Sequence, residues 1–221
     1  MMKRTLLTKE FTKQVESILA PFFIEQGFSR QGIDHYRRII KPFIHCIWLQ
    51  ERSDRKALCV NMGVHLDFIP LSGMISISEI DKVVQPSCCI MDRLAPQGKY
   101  DYWWPAKPTQ KQVKSIKKLF GKDGKSFFEQ YVNFPDVFES ITIGDIQSGD
   151  ALKVLPGMTK RGMAVFLARI YEHIRQKEKA IQFSKFGLEI IKNANPRHMR
   201  PTKKIFEDII NRNKNELLGI L

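Results

Sequence analysis

From Ala57 to Phe68 the chain alternates without a break. Leu58, Val60, Met62, Val64, Leu66 and Phe68 take the even positions, while Ala57, Cys59, Asn61, Gly63, His65 and Asp67 take the odd ones. Successive side chains of a strand point to opposite faces, so a period of two specifies a half-buried strand and excludes a helix. The even face is the one to bury, which gathers Cys59, Asn61, His65 and Asp67 on the other.

Neighbouring segments supply partners for this strand. Strands are expected over 34–40, 43–50 and 87–94, joined by a tight Lys41-Pro42 turn and a polar loop at 51–56. If opposed residues of the central hairpin have numbers summing to 107, Val60 faces Ile47, Leu58 faces Leu49 and Val64 faces Phe43, which makes one face apolar throughout. On the reverse face Trp48 then opposes Cys59 and Cys46 opposes Asn61, with His35 and Arg37 alongside. His35, Arg37, Trp48, Asn61 and His65 are therefore the candidate ligand residues. Arg37 can hold an oxyanion with two donors and Trp48 can wall the site. The histidines would strengthen anion binding as pH falls toward their ordinary pKa near ~6.5. The competing reading is a second core layer whose polar groups satisfy one another beneath helices.

Helical patterns flank the strands. Phe11, Val15, Ile18, Leu19, Phe22 and Phe23 recur at helical spacing, with Thr8 placed to cap, Pro21 to kink and Gly27 to end the helix. Residues 71–86 are ambiguous, with Ser78 able to cap a short turn over 79–84. Thr109 is placed to cap a helix over 110–120 that ends at Gly121, and Ser126 with Glu129 makes a capping box for a helix stopped by Pro135. Further on, Thr159 precedes Met163, Phe166, Leu167, Ile170, Tyr171 and Ile174. A second helix is expected over 178–192, and a third opening at Pro201 carries Ile205, Ile209 and Ile210. The first two of these helices have the look of one tetratricopeptide-type pair, read as a helical hairpin because a single repeat cannot bury its own face. The expected fold is α+β: an antiparallel sheet packed with helices over 1–138, followed by a C-terminal helical section over 139–221 packed on it.

Charge narrows the partners. The formal net charge is +13, and residues 161–221 carry 13 Lys and Arg against 6 Asp and Glu. Such a field favours acidic partners, whether an anionic protein face, nucleic acid or a phosphate-bearing ligand. Arg197, Arg200, Lys203 and Lys204 are the candidates there. A second candidate surface is the loop carrying Trp103 and Trp104, followed by Lys107, Lys111, Lys114 and Lys118. Aromatics interleaved with lysines suit single-strand binding, although two tryptophans also suit a plug folded onto the core.

Other classes find no support. Cys46, Cys59, Cys88 and Cys89 lack a CxxC pair or Cys/His ligand spacing, so reduced thiols in a cytoplasm are expected, with no metal and no cofactor. No apolar run approaches the ~20 residues of a membrane span, and Met1–Leu7 lacks the apolar core of an export signal. No nucleophile, base or phosphate-cradling loop nominates a reaction, and the chain leans away from being an enzyme.

The pieces Phe28-x-Arg30, His35-Tyr36-Arg37-Arg38, Trp48-Leu49-Gln50, Val60-Asn61-x-Gly63-Val64, Arg93-Leu94 and Trp103-Trp104 together resemble the bacterial domain-of-unknown-function family 4304 over about the first half of the chain. The resemblance implies an α+β fold and a bacterial source, and it carries no catalytic residue. Some small bacterial families of this style are antitoxin-like immunity proteins, an analogy of style only. The leading expectation is a non-enzymatic bacterial module that binds an acidic partner or anionic ligand. The alternative is a nucleic-acid-binding protein using the basic helices and the Trp103-Trp104 loop.

Overall fold

A computed structural model describes residues 12–13, 15–54, 56–70, 83–105 and 110–219. The chain divides into two units, Met1–Val132 and Asn133–Leu221. The expected cap at Thr8, the contribution of Phe11, the turn at Ser78, the cap at Thr109 and Lys107 lie outside the described residues.

An antiparallel sheet forms the body of the first unit. Its strands are β1 (Ser29–Arg30), β2 (His35–Ile40), β3 (Phe43–Glu51), β4 (Ala57–Leu66), β5 (Ile90–Arg93) and β6 (Trp104–Pro105). They pair in the order β1-β2-β3-β4-β5, with β6 beside β5's partner β4 at its other end. The alternation of 57–66 becomes the central strand as expected, but the register of the β3–β4 hairpin is two residues away from the expected one. Ile47 faces Met62, Leu49 faces Val60, Trp48 faces Asn61 and Cys46 faces Gly63. Leu58 pairs with Glu51 in place of Leu49, so the centre of the turn lies one residue further along the chain, where Asp54 ties it by accepting from the Arg52 guanidinium and the Lys56 amide. A two-residue shift preserves parity, so the division into faces survives where a one-residue slip would have inverted it. Phe68 drops out of the strand, which ends at Leu66.

Val60, Met62, Val64 and Leu66 are buried, as are Phe43, Ile47 and Leu49 opposite them. Each such side chain contributes about 1.5–3 kcal/mol when fully removed from water. In the same unit a π-helical turn (Val15–Leu19) leads into α1 (Ala20–Glu25), where one helix with a kink at Pro21 was expected. Gly27, at φ +81°, ends α1 in the left-handed conformation that glycine accepts at least cost. α2 (Gln110–Leu119) runs through a π-helical turn (Phe120–Gly124) directly into α3 (Lys125–Glu129). This replaces both the expected stop at Gly121 and the Ser126–Glu129 capping box. Gly124 is helical, and glycine fits there because the Phe120 ring fills the space where a Cβ would stand, 2.6 Å from the nearest ring carbon. The aromatic cluster of Phe23, Phe28, Tyr36, Phe120 and Phe128 makes mostly tilted and edge-on contacts, such as Phe23 to Tyr36 at 4.8 Å and Phe23 to Phe120 at 4.9 Å.

The second unit is helical: α4 (Asp136–Glu139), α5 (Ile143–Ser148), α6 (Lys160–His173), α7 (Lys177–Ile191) and α8 (Pro196–Leu217). Thr159 caps α6 as expected, its hydroxyl accepting from the Gly162 amide at 3.1 Å. α6 packs on α7 and α7 on α8, and the Phe206 ring of α8 lies over Gly187 of α7. α8 starts five residues before its expected opening. Asn195 caps it, Pro196 sits in its first turn, and Pro201 lies inside the helix. No helix among the described residues is long and apolar enough to cross a membrane.

Candidate functional site

The register lines up one row of side chains across four strands. His35 of β2 faces Trp48 of β3, Trp48 faces Asn61 of β4, and Asn61 faces Arg93 of β5. Arg37 lies beside Cys46 in the next row, and His65 opposite Ile44 in the one after it. All five residues expected on the reverse face are therefore on it, but they meet different surroundings along the strands.

The row itself is half-buried and polar. His35 stacks on Trp48 with ring centroids 5.5 Å apart, and its Nδ1 meets the Asp34 carboxylate at 2.9 Å. Burial opposes ionisation of Asp34, yet the His35 hydrogen bond and neighbouring charge bring its carboxyl below the ordinary range. The Trp48 indole nitrogen lies near enough to help hold Asp34 ionised but makes no hydrogen bond of ordinary geometry. With Nδ1 on Asp34, the buried His35 Nε2 has no partner among the described residues. Asn61 donates to Gln50 at 2.8 Å and accepts from Arg93 Nε at 3.0 Å. Arg93 also pairs with Asp101 and lies 4.8 Å from the centre of the Trp103 ring, with Arg52 5.9 Å from the same ring. An Asp–His pair resembles part of a hydrolytic relay, but the only nucleophile in this network is Cys59. Burial pushes its thiol up to about 11, leaving it a poor thiolate at neutral pH.

The other end of the face is sealed. Val83 and Cys88 pack on Ile44 and Cys46, with Met91 beside them. Gly63 makes this approach possible, because a Cβ there would stand 2.8 Å from the Cys88 side chain. His65 is 1% exposed, and burial lowers its pKa. It therefore stays neutral across the physiological range and does not supply the expected strengthening of anion binding as pH falls. The expectation of a single open face missed this because residues 83–88 gave no clear signal of a covering turn.

The apolar face holds a histidine that the alternation did not bring forward. His45 is fully buried, its Nε2 donating to the Tyr131 carbonyl at 2.8 Å and its Nδ1 accepting from Arg38 at 3.0 Å. Burial first, and the Arg38 charge second, bring its pKa down to about 3. Arg38 also caps the Gln26 carbonyl and lies over the Phe28 ring. Only the neutral tautomer with its proton on Nε2 suits both contacts.

The aromatic loop folds back. Trp104 pairs with Leu58 and is 3% exposed, so it offers no free ring face for a base, while Trp103 lies half-buried against the two arginines. The lysines that follow are different. Lys111, Lys114 and Lys118 lie on the exposed side of α2, opposite the fully buried Val113 and Ile116. None has an ion-pair partner among the described residues. Residues 110–125 contain six lysines and one acidic residue. On α8, Arg197, Arg200, Lys203 and Lys204 are also exposed. There, however, Lys203 pairs with Glu207 at 3.5 Å and Lys204 with Asp208 at 2.8 Å. Arg200, Lys203 and Lys204 border a cleft of about 1090 Å³ between α7 and α8, alongside Leu188, Met199 and Glu207. No group of three metal-ligating side chains occurs among the described residues.

The family model for the domain of unknown function DUF4304 matches residues 19–130, half of the chain, and the chain belongs to that family. No curated protein and no solved structure matches it.

Proposed function

We propose that this DUF4304 chain is a non-enzymatic binding module, working in a bacterial cytoplasm, that engages an acidic protein partner through the lysine face of α2. The observation that carries the reading is the row of Lys111, Lys114 and Lys118. They occupy one side of a helix whose other side is core, and no carboxylate among the described residues compensates them. A cation held this way is hydrated, costs little to bring against a carboxylate, and steers an acidic surface before contact. The polar row His35–Trp48–Asn61–Arg93 is the second place where the same partner or a small anion can be held, through His35 Nε2 and the half-buried indole. An acidic toxin neutralised by this chain would be one instance of such a partner.

Nucleic-acid binding is the second reading. Unpaired lysines favour it equally, but the burial of Trp104 removes half of its aromatic platform. Polyglutamate and a single-stranded oligonucleotide of matched charge separate the two, each titrated with the full chain across a salt series. An acidic-protein site binds polyglutamate at least as tightly as the oligonucleotide. The opposite preference, together with a salt slope that falls by about 2 in the Lys111→Glu/Lys114→Glu/Lys118→Glu variant, supports the phosphate reading at roughly 0.7 per lysine lost on a single strand. Binding of both probes unchanged in that variant sinks both readings of the helix.

A further inference from the structure

The sealed end of the sheet contains a cysteine–histidine pair that the binding reading does not use. Cys89 Sγ lies 3.3 Å from His65 Nδ1, and His65 Nε2 meets the Ile69 carbonyl at 2.8 Å. A carbonyl only accepts, so Nε2 carries the proton and Nδ1 turns its lone pair toward the sulfur. The second contact thus fixes the tautomer that the first one needs. Cys89 is partly exposed, whereas Cys46, Cys59 and Cys88 are buried.

We propose that Cys89 is a modification site, a thiol activated by His65 that reacts with hydroperoxides and other soft electrophiles. As sulfur attacks a peroxide oxygen, the S–O bond forms and the O–O bond breaks. The thiol proton passes to His65 Nδ1 and then to the departing hydroxide or alkoxide, which leaves as water or alcohol. Sulfur is oxidised by two electrons to the sulfenic acid and the peroxide is reduced by two. With an alkylating agent the S–C bond forms, halide leaves, and the proton goes through Nδ1 to solvent. His65 acts here as a base toward the thiol in the reacting state, without a standing thiolate–imidazolium pair, because burial keeps the ring neutral. Among the described residues, titratable groups about the pair include Asp67, which acts on His65, and Cys88 with Cys46 behind it. Burial holds the Cys88 thiol well above its ordinary value, so it does not compete as a nucleophile.

The test is the pH profile of Cys89 in the folded full chain. Iodoacetamide labelling would be quantified by mass spectrometry at each cysteine from about pH 6.5 to about pH 8, beside glutathione as an ordinary thiol. An ordinary thiol gains roughly tenfold per pH unit below its pKa of ~8.5. Cys89 should change less than about threefold over the range and exceed glutathione by about tenfold at its acid end, since its base is neutral throughout. His65→Gln should restore the ordinary slope at Cys89, and trapping of a sulfenic acid after peroxide should fall in step with it. If that variant does not fold, the wild-type profile decides alone. A Cys89 rate that climbs in parallel with glutathione, or stays below it at every pH, overturns the proposal.

Discussion

The basic helix of the sheet unit, α2, and that of the helical unit, α8, treat charge in opposite ways. In the helical unit cations find carboxylates at short range. Lys203 pairs with Glu207, Lys204 with Asp208 and Lys177 with Glu216, and Arg212 meets both oxygens of Glu172 at 3.0 and 3.1 Å. The sheet unit also pairs Arg30 with Glu16, Arg52 with Asp54 and Arg93 with Asp101, and buries Arg38–His45–Tyr131 in a single arrangement, but Lys111, Lys114 and Lys118 of α2 have no ion-pair partner among the described residues. Net charge favours the sheet unit, +8 over 1–132 against +5 over 133–221, but does not say which cations stand free. Residues 161–221 keep an excess of seven after their carboxylates are counted, yet Lys203 and Lys204 are paired, and exposed pairs of this kind leave little field beyond a Debye length of about 8 Å.

Acid should separate the units most sharply. His45 is near neutral form in the fold, with a pKa of about 3, and regains about 6.5 when unfolded, so the unfolded chain binds the proton first. Its contribution is fully present above about pH 6.5 and is lost as pH falls toward about 3, at roughly 1.4 kcal/mol per unit and on the order of 4 kcal/mol in all. Trp48, Trp103 and Trp104 are the only tryptophans and all lie in Met1–Val132, so fluorescence-monitored urea unfolding reads this unit by itself. His45→Phe should flatten the acid slope. An equal slope in both proteins would remove His45 as its source.

Packing gives the next largest effect, this time in the helical unit. A Cβ on Gly187 would lie 2.0 Å from the Phe206 ring, so Gly187→Ala forces α7 and α8 apart and should cost about 1–3 kcal/mol despite the better helix propensity of alanine. Loss of helical circular dichroism at lower temperature, with the tryptophan signal following its own transition, is the expected pattern. A more stable variant would mean that the Phe206 ring has room to move. The smallest effect concerns Asp208→Ala, which should lower stability by only about 0.3–0.5 kcal/mol while releasing Lys204. If releasing that one lysine raises polyglutamate affinity to the level set by α2, local pairing is indeed what silences α8.

How much of this was legible in the sequence follows from length and repetition. The alternation of β4 spans ten residues and fixed its own faces, and through parity it placed His35, Arg37, Trp48, Asn61 and His65 together even with the register off by two. β5 has four residues and β6 two, too short for any period, so the arrival of Arg93 next to Asn61 and the folding back of Trp104 could not be read. The pairing of Cys89 with His65 depends on the turn before β5 and was equally hidden. Gly121 carries the sequence signal of a helix end, but the chain runs on through the π-helical turn to Gly124, whose missing Cβ leaves room for the Phe120 ring, a contact that exists only within the fold. The i,i+4 spacing of Lys203 with Glu207 and Lys204 with Asp208 is plain in the sequence and signals local pairing on α8 that α2 lacks at Lys111, Lys114 and Lys118.

Two charge-matched variants test the central claim most directly. Lys111→Ala/Lys114→Ala/Lys118→Ala and Arg200→Ala/Lys203→Ala/Lys204→Ala each remove three positive charges from the full chain, one set from α2 and the other from α8. Polyglutamate affinity would be measured for both at low and at physiological salt. The expected result is a loss of about tenfold or more for the α2 variant and about twofold or less for the α8 variant, with melting unchanged in the first and slightly lowered in the second by the loss of its two ion pairs. Equal losses, or a larger loss from α8, would contradict the assignment of the partner surface to α2 and leave net charge as the whole of the effect.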